Sequence, residues 1–389
     1  MTKPTYILSN PGKFHHFEVG KILYKKNQLK KIISGYPWFK LKNENIPKEL
    51  VGSHGLLRIL QEPIISNSHF DRLNKLIYKS IANHIDKVTC NYIDAMNDAD
   101  VLIALSQNGL KSGKRMLKNN KIYICERAST HIIYQQNILS EEYSEFTKKK
   151  FQIEKWSIER DLEEYENASM ILVPSEYVKK TFDKFNISKT KVLNFGVNTE
   201  NFYKDNNIKK SQKYFDILFI GQISLRKGLH YLIEAFHKFK HPNKRLHIVG
   251  THTLDKDFFE DKIKNEKIIY YGHVNHLKLN AMINKSHIFV LPSIEEGFAF
   301  VIFQALAAGC PVIVSENTGA SEFVIKNKCG FSIPIRDANA ISEKLEILDE
   351  NKNLLEEFSM NAVKSMPEHT WSNYVDKLDD LIIQYKKNK

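Results

Sequence analysis

Short apolar runs alternate with longer amphipathic stretches through both halves of this chain, and that rhythm constrains the fold more than any other feature. It is the pattern of α/β proteins with parallel sheets, in which each buried strand is followed by a helix that covers it. In the first half, Thr5–Ser9, Val101–Leu105, Ile122–Cys125, Ile171–Pro174 and Lys191–Phe195 read as strands. A second series follows, with strands at Tyr214–Ile220, Arg245–Val249, Ile268–Tyr271, Ile288–Leu291 and Pro311–Val314. Helical patterns fall at Glu154–Asn167, Leu229–Phe239, Leu277–Asn284, Phe300–Ala308 and Thr370–Tyr385. The polar stretch Asn201–Lys213 separates the two series and reads as a linker. The charged segment Phe146–Glu166 reads as a solvated helix face.

A length of 389 residues suits two domains of ordinary size. The net charge of +12 is uneven. Residues 1–200 carry 31 Lys and Arg against 22 Asp and Glu, whereas residues 201–389 carry 26 against 23. The basic half suits an anionic membrane surface or a phosphorylated substrate, and equally a Lys-rich solvated surface. No basic stripe interleaved with aromatics and no zinc-finger spacing appears, which argues against nucleic acid as a partner. Cys90, Cys125, Cys310 and Cys329 form no C-x-x-C pair and lie in or beside apolar segments, as reduced thiols do in a reducing compartment. The amino terminus lacks a signal-peptide-like apolar stretch, and the most apolar region, Phe298–Val314, is interrupted by Gln304, Gly309 and Pro311. A cytoplasmic protein, with peripheral contact on the inner face of the membrane, is the expectation.

Two segments carry chemistry. In the first, Phe219–Phe236, an apolar strand ends at Gly221 and a loop bearing Arg226, Lys227 and Gly228 leads into an amphipathic helix. Ligands in open α/β sheets sit beyond the carboxyl ends of the strands. Arg binds two phosphate oxygens at once, Lys adds a point charge, and the helix amino terminus adds a favourable dipole. A solvated Arg-Lys pair is the plainer alternative. The second segment is Leu291–Val324, where Ser293–Gly297 links a strand to a helix and Ser315–Glu322 links the next pair. Glu296 and Gln304 stand eight residues apart, about two helical turns, so both can face one cleft. A carboxylate and an amide there suit sugar and ribose hydroxyls. Otherwise Glu296 only complements a helix dipole and Gln304 is a satisfied buried amide.

Taken in order, GQISLRKG, LHIVG, YGHV, LPSIEEGFAFVIFQALAAGCPVIVS and NTGASEFV resemble the donor domain of the retaining glycosyltransferases of family four, which have the GT-B fold. VPSEYVKKTF and the terminal segment with Trp371 are similar to that family's entry to the second domain and to its crossover helix. The resemblance implies an acceptor-side Rossmann-like domain at residues 1–205, a nucleotide-sugar domain at 212–368, and a helix at 369–389 that crosses back. Arg226 and Lys227 match the cationic loop on the donor diphosphate. Gly297, Phe298 and Ala299 match the loop whose amides reach phosphate. Glu296 matches the first acid of a two-glutamate motif near the donor sugar, and Val274 lies on the base-side loop. There are three departures: Gln304 replaces the second acid, Gln222 replaces a frequent arginine after Gly221, and Ala299 replaces a frequent glycine.

In the first half, Gly12 within SNPGKFHHF suits close backbone approach to phosphate or acceptor, and suits an ordinary turn as well. Family members often carry a histidine facing the acceptor on a loop such as CERASTHIIYQQ, so His131 is the first choice there, beside Arg127. A purely structural His131 stands against it, and His15 and His16 are secondary choices. The resemblance implies transfer with retention from a nucleotide-diphosphate sugar to a carbohydrate or lipid-linked hydroxyl, without a metal or other cofactor. A catalytically weak nucleotide-sugar-binding protein is the rival reading, favoured by Gln304.

Overall fold

The computed structural model describes residues 3–56, 58, 59, 71–96, 98–148, 150–252 and 255–388. The apolar runs build two wholly parallel sheets. The first contains β1 (Tyr6–Asn10), β2 (Leu29–Ser34), β3 (Val51–Ser53), β4 (Val101–Leu105), β5 (Ile122–Glu126), β6 (Met170–Val173) and β7 (Thr190–Val192). Their spatial order is β3-β2-β1-β4-β5-β6-β7. The second contains β8 (Phe215–Ile220), β9 (Lys244–Val249), β10 (Ile268–Tyr270), β11 (Ile288–Leu291), β12 (Val312–Ser315) and β13 (Gly330–Ile333), in the order β10-β9-β8-β11-β12-β13. Each sheet is an open, doubly wound Rossmann-like sheet whose strand order reverses beside its first strand. The crevice at that reversal is where such folds hold ligands.

Burial explains the strand sequences. Every residue of β11 is buried, and sheets covered on both faces demand such continuous apolar runs. Each of those side chains stabilises the fold by about 1.5–3 kcal/mol relative to exposure. Strands β2, β3 and β13 and the long helix Asp71–Ala95 lie outside the elements read from sequence. In β2, Lys30 and Lys31 break the apolar run. Lys31 is accommodated because its ammonium sits 4.6 Å from the Tyr92 ring centroid and reaches the Glu49 carbonyl.

The reading of Phe146–Glu166 as a solvated face is corrected. Within the helix Lys155–Asn167, Arg160, Asp161 and Glu164 are buried. Asp161 takes a hydrogen bond from Arg127 at 2.8 Å, and Arg160 binds Asp86 at 2.5 Å. Charges removed from water need such pairing. Burial, with Asp161 beside it, pushes the Glu164 carboxyl up to about 8.

The final helix, Trp371–Lys387, starts on a Thr370 cap that accepts the Asn373 amide, and packs against the first domain. Buried Asp379 accepts from the Tyr6 hydroxyl at 2.7 Å and from Gln28 at 2.9 Å. Lys386 pairs with Asp100 at 3.2 Å. All four cysteines are free thiols, and among the described residues no helix is long and apolar enough to cross a membrane.

Candidate active site

The carboxyl ends of the two sheets enclose a cavity of about 390 Å³, to which Phe14, His15 and Phe195 contribute from one side and Lys227, Glu296 and Phe300 from the other. The loop after β8 brings Lys227 in. Gly228 is left-handed at φ 67°, and a Cβ there would meet the Pro292 carbonyl oxygen at 1.9 Å, so only glycine lets the chain turn at this point. The loop after β11 brings in Glu296, whose carboxylate forms an ion pair with Lys227. Burial opposes the charge of Glu296, yet Lys227 and Arg226 hold its carboxyl below the ordinary range.

The helix Phe300–Ala307 begins on the same wall, after Ala299 at φ 59°. Among the described residues, the amides of Phe298, Ala299, Phe300 and Val301 have no protein acceptor. Phe298 through Val301 all line the cavity. Orphan amides and the positive end of a helix dipole attract anions. A basic side chain, a carboxylate and this helix start therefore face one space.

Several expected site residues lie elsewhere. Arg226 turns two of its three nitrogens to neighbouring loops: Nε donates to Glu295 Oε2 at 2.9 Å, and Nη2 reaches Ser129 Oγ of the first domain at 3.3 Å. Gly297 packs against the first domain, where a Cβ would fall 1.9 Å from the Ala128 oxygen, and its own carbonyl accepts from Ser175 at 2.9 Å. The Gly12 amide donates to Asn10 Oδ1, forming a side-chain-stabilised turn, and is spent. Val274 and Gln304 are half-buried and do not line the cavity. Gln304 lies one turn beyond Phe300 on the same helix face.

His131 is corrected most clearly. It caps the helix Ile132–Phe146, its Nδ1 accepting from the Ile133 amide, and stacks on Phe185 with ring centroids 3.9 Å apart. Burial and nearby Arg127 lower it to about 4, so it is a neutral core histidine near neutrality. Its neighbour Arg127 is likewise tied to Asp161 and the Thr130 carbonyl.

His15 is the histidine that reaches the cavity. Its Nε2 lies 2.8 Å from Glu126 Oε2, and that oxygen also binds His16 Nε2 at 2.6 Å. Tyr374 of the final helix donates to the other Glu126 oxygen at 3.1 Å. The His15 ring lies parallel to Trp371, with centroids 5.9 Å apart, and contacts Phe195 at 4.1 Å. Burial opposes the charge on Glu126, but the two imidazoles hold its carboxyl far below the ordinary range. His15, His16 and Glu126 are metal-ligand types within 4.8 Å of one another, and their facing atoms are already joined by these hydrogen bonds. The tandem histidines of SNPGKFHHF, at the start of the helix that follows β1, were the sequence signal for this group.

Comparison with known proteins agrees with this layout. Residues 200–365 match the family model described as Glycosyl transferases group 1. The chain is 30% identical over 217 residues to the capsular polysaccharide biosynthesis glycosyltransferase CapM of Staphylococcus aureus, a match covering 51% of this chain and 56% of CapM. An uncharacterized glycosyltransferase of Methanocaldococcus jannaschii is 27% identical over 54% of this chain and 59% of its own length. The matches thus span little more than half of these relatives. Sucrose-phosphate synthase from Thermosynechococcus elongatus superimposes over 100% of both chains with a TM-score of 0.74 at 15% identity. Anabaena HepE, solved in complex with UDP and glucose, does so over 98% of this chain and 100% of its own with a TM-score of 0.69 at 16% identity. The chain has the GT-B fold, and its second domain is similar to the group 1 glycosyltransferases.

Proposed function

We propose that this protein moves a sugar, with retention of anomeric configuration, from a nucleotide-diphosphate sugar to the hydroxyl of a glycan or lipid-linked precursor of a surface polysaccharide. The observation that carries this reading is the meeting of Lys227, Glu296 and the unclaimed amides of the helix Phe300–Ala307 in one interdomain cavity. The cation and the amides suit a diphosphate, and the carboxylate beside them suits sugar hydroxyls. The relative named for capsular polysaccharide biosynthesis and the neighbour holding UDP and glucose favour the same substrate class.

In this reaction the bond from the anomeric carbon to the diphosphate oxygen breaks, and the acceptor oxygen bonds to the same face of the sugar. The acceptor proton passes to the departing diphosphate oxygen, so no carboxylate nucleophile is required. Lys227 and the helix amino terminus stabilise the charge that develops on the leaving group. When the donor diphosphate engages Lys227, Glu296 is released from its ion pair and turns to the sugar. Val274 and Gln304 stand outside this cavity, so the diphosphate rests on Lys227 and the helix amino terminus. His15, held by Glu126, faces the acceptor side. No metal is assigned a part.

Phe39 is 60% exposed on the strongly basic first 50 residues, which suits a first domain resting on the anionic inner face of a membrane. Incubation with a panel of nucleotide sugars and an oligosaccharide or lipid-linked acceptor tests the reading. Acceptor-dependent release of nucleoside diphosphate, with the donor's anomeric configuration retained in the product by NMR, is the expected result. Binding without transfer or hydrolysis would favour the rival, a nucleotide-sugar-binding protein lacking the second motif acid at Gln304.

A further inference from the structure

A second cavity, of about 350 Å³, lies on one face of the second sheet under the helix His276–Lys285. Parallel sheets covered by helices ordinarily present apolar residues on both faces. On β9, Leu246 and Ile248 obey that rule and are fully buried. The alternate residues Arg245 and His247 do not, and they line the cavity together with Asp216 of β8 and Tyr271 after β10. A polar wall beneath a helix is a departure that packing alone does not ask for.

The wall is ordered. Asp216, 4% exposed, accepts from Arg245 Nε at 2.6 Å and Nη2 at 2.9 Å, and lies 2.9 Å from His247 Nε2. His247 Nδ1 lies 2.9 Å from the Tyr271 hydroxyl, which fixes both rings. The one carboxylate of the cavity is thus balanced by Arg245. Lys209, Lys278 and Lys285 also line it, are exposed, and have no carboxylate partner among the described residues. A surplus of three positive charges therefore converges on a space that also offers the half-exposed face of Tyr271 and the Met282 side chain. Asp216 and Arg245 stand near the amino ends of their strands, and none of these residues lines the interdomain cavity.

We propose that this cavity is a second ligand site, for a small ring-bearing phosphomonoester such as a sugar phosphate or a nucleoside monophosphate. The three ammonium groups meet the dianionic phosphate as point charges, and Tyr271 supports the ring. The volume accommodates a single small molecule and not a polymer. The site does not depend on the function assigned to the interdomain cleft.

Isothermal titration of glucose 6-phosphate, AMP and inorganic phosphate against the wild type, the double variant Lys278→Ala/Lys285→Ala and Lys227→Ala tests it. Lys278 and Lys285 are exposed, so the double variant should melt as the wild type does, whereas Lys227 is half-buried and paired with Glu296, and Lys227→Ala is compared at a temperature where it is folded. The wild type should bind one of the two phosphomonoesters more tightly than inorganic phosphate, and which one identifies the ring. The double variant should lose at least about tenfold in that affinity, as expected for two charge-assisted contacts, while Lys227→Ala keeps it. Three results would overturn the proposal. The wild type binds neither phosphomonoester at millimolar concentration, or binds both no better than inorganic phosphate. The double variant binds as the wild type does. Or Lys227→Ala alone abolishes binding, which would put the ligand in the interdomain cleft.

Discussion

Glu295 and Ser129 join the two domains: the Ser129 hydroxyl donates to Glu295 Oε1 at 2.7 Å, from the loop after β5 to the loop after β11. The same oxygen accepts from the Thr130 amide and hydroxyl, and the other oxygen accepts from Gln135 and Arg226. A fully buried carboxylate thus gathers five donors. Burial works against its charge, but Arg226 and these donors hold it down to about 2.

Glu295→Ala should therefore cost about 3–5 kcal/mol in denaturant unfolding, because Arg226 is left without its partner. The pH dependence has a definite sign. The folded carboxyl titrates below its unfolded value, so its stabilisation is complete above about pH 4.5 and is lost as pH falls toward about 2. The melting temperature of the wild type should fall more steeply than that of Glu295→Ala in this window.

Arg226 and Lys227 should behave differently although they are adjacent. Lys227→Ala should weaken nucleoside diphosphate binding by about 1.5–3 kcal/mol and lower the melting temperature less than Arg226→Ala does, because Arg226 still faces the Glu296 carboxylate. Arg226→Ala should lower the melting temperature first, since its guanidinium is held by Glu295 and Ser129. Calorimetric titration and thermal melts on both variants make the comparison. Equal losses of affinity with equal stability would return Arg226 to the phosphate.

His131→Asn keeps a capping side chain and removes the ring. Transfer activity should persist, with a stability loss of about 1–3 kcal/mol from the missing aromatic contacts. His131 is neutral in the fold and titrates near 4, against 6.5 when exposed. Its contribution is present above about pH 6.5 and fades as pH falls through about 4. The variant's melting temperature should be flatter than the wild type's between those values. Abolished transfer in a stably folded variant would restore His131 to the site.

The surplus of seven positive charges in residues 1–50 should draw the protein to vesicles containing anionic lipid, at about 1 kcal/mol for each lysine close to the surface. Sedimentation with anionic and neutral vesicles at low and physiological salt measures this. Equal binding to both lipids at each salt would reduce the basic surface to solvation.

The second sheet was readable because its strands are continuous apolar runs: Ile288–Leu291 was read to the residue, and β8, β9, β10 and β12 to within one. Strand β13 reads Gly-Phe-Ser-Ile, with Gly330 and Ser332 breaking the apolar run, so it carries little signal. Lys227 and Glu296 were legible because each follows a strand on a loop leading to a helix. The ties of Arg226 to Glu295 and of Glu126 to Tyr374 were not, since they join residues 69 and 248 positions apart. His131 misled because a histidine on a post-strand loop reads alike whether its ring meets a cleft or, as here, Phe185. The stacking of His15 on Trp371 of the returning helix joins residues too far apart in sequence to be read from spacing.

The most direct test of the account is the turnover of Glu296→Gln, measured beside its affinity for the nucleoside diphosphate. The account predicts that affinity is kept or tightened, because Lys227 loses its intramolecular partner, while kcat falls by about 100-fold, the size typical of one lost electrostatic contact to a transition state. Normal kcat, with only the loss of about 0.3–1 kcal/mol in stability expected for a charge at a helix amino terminus, would contradict it.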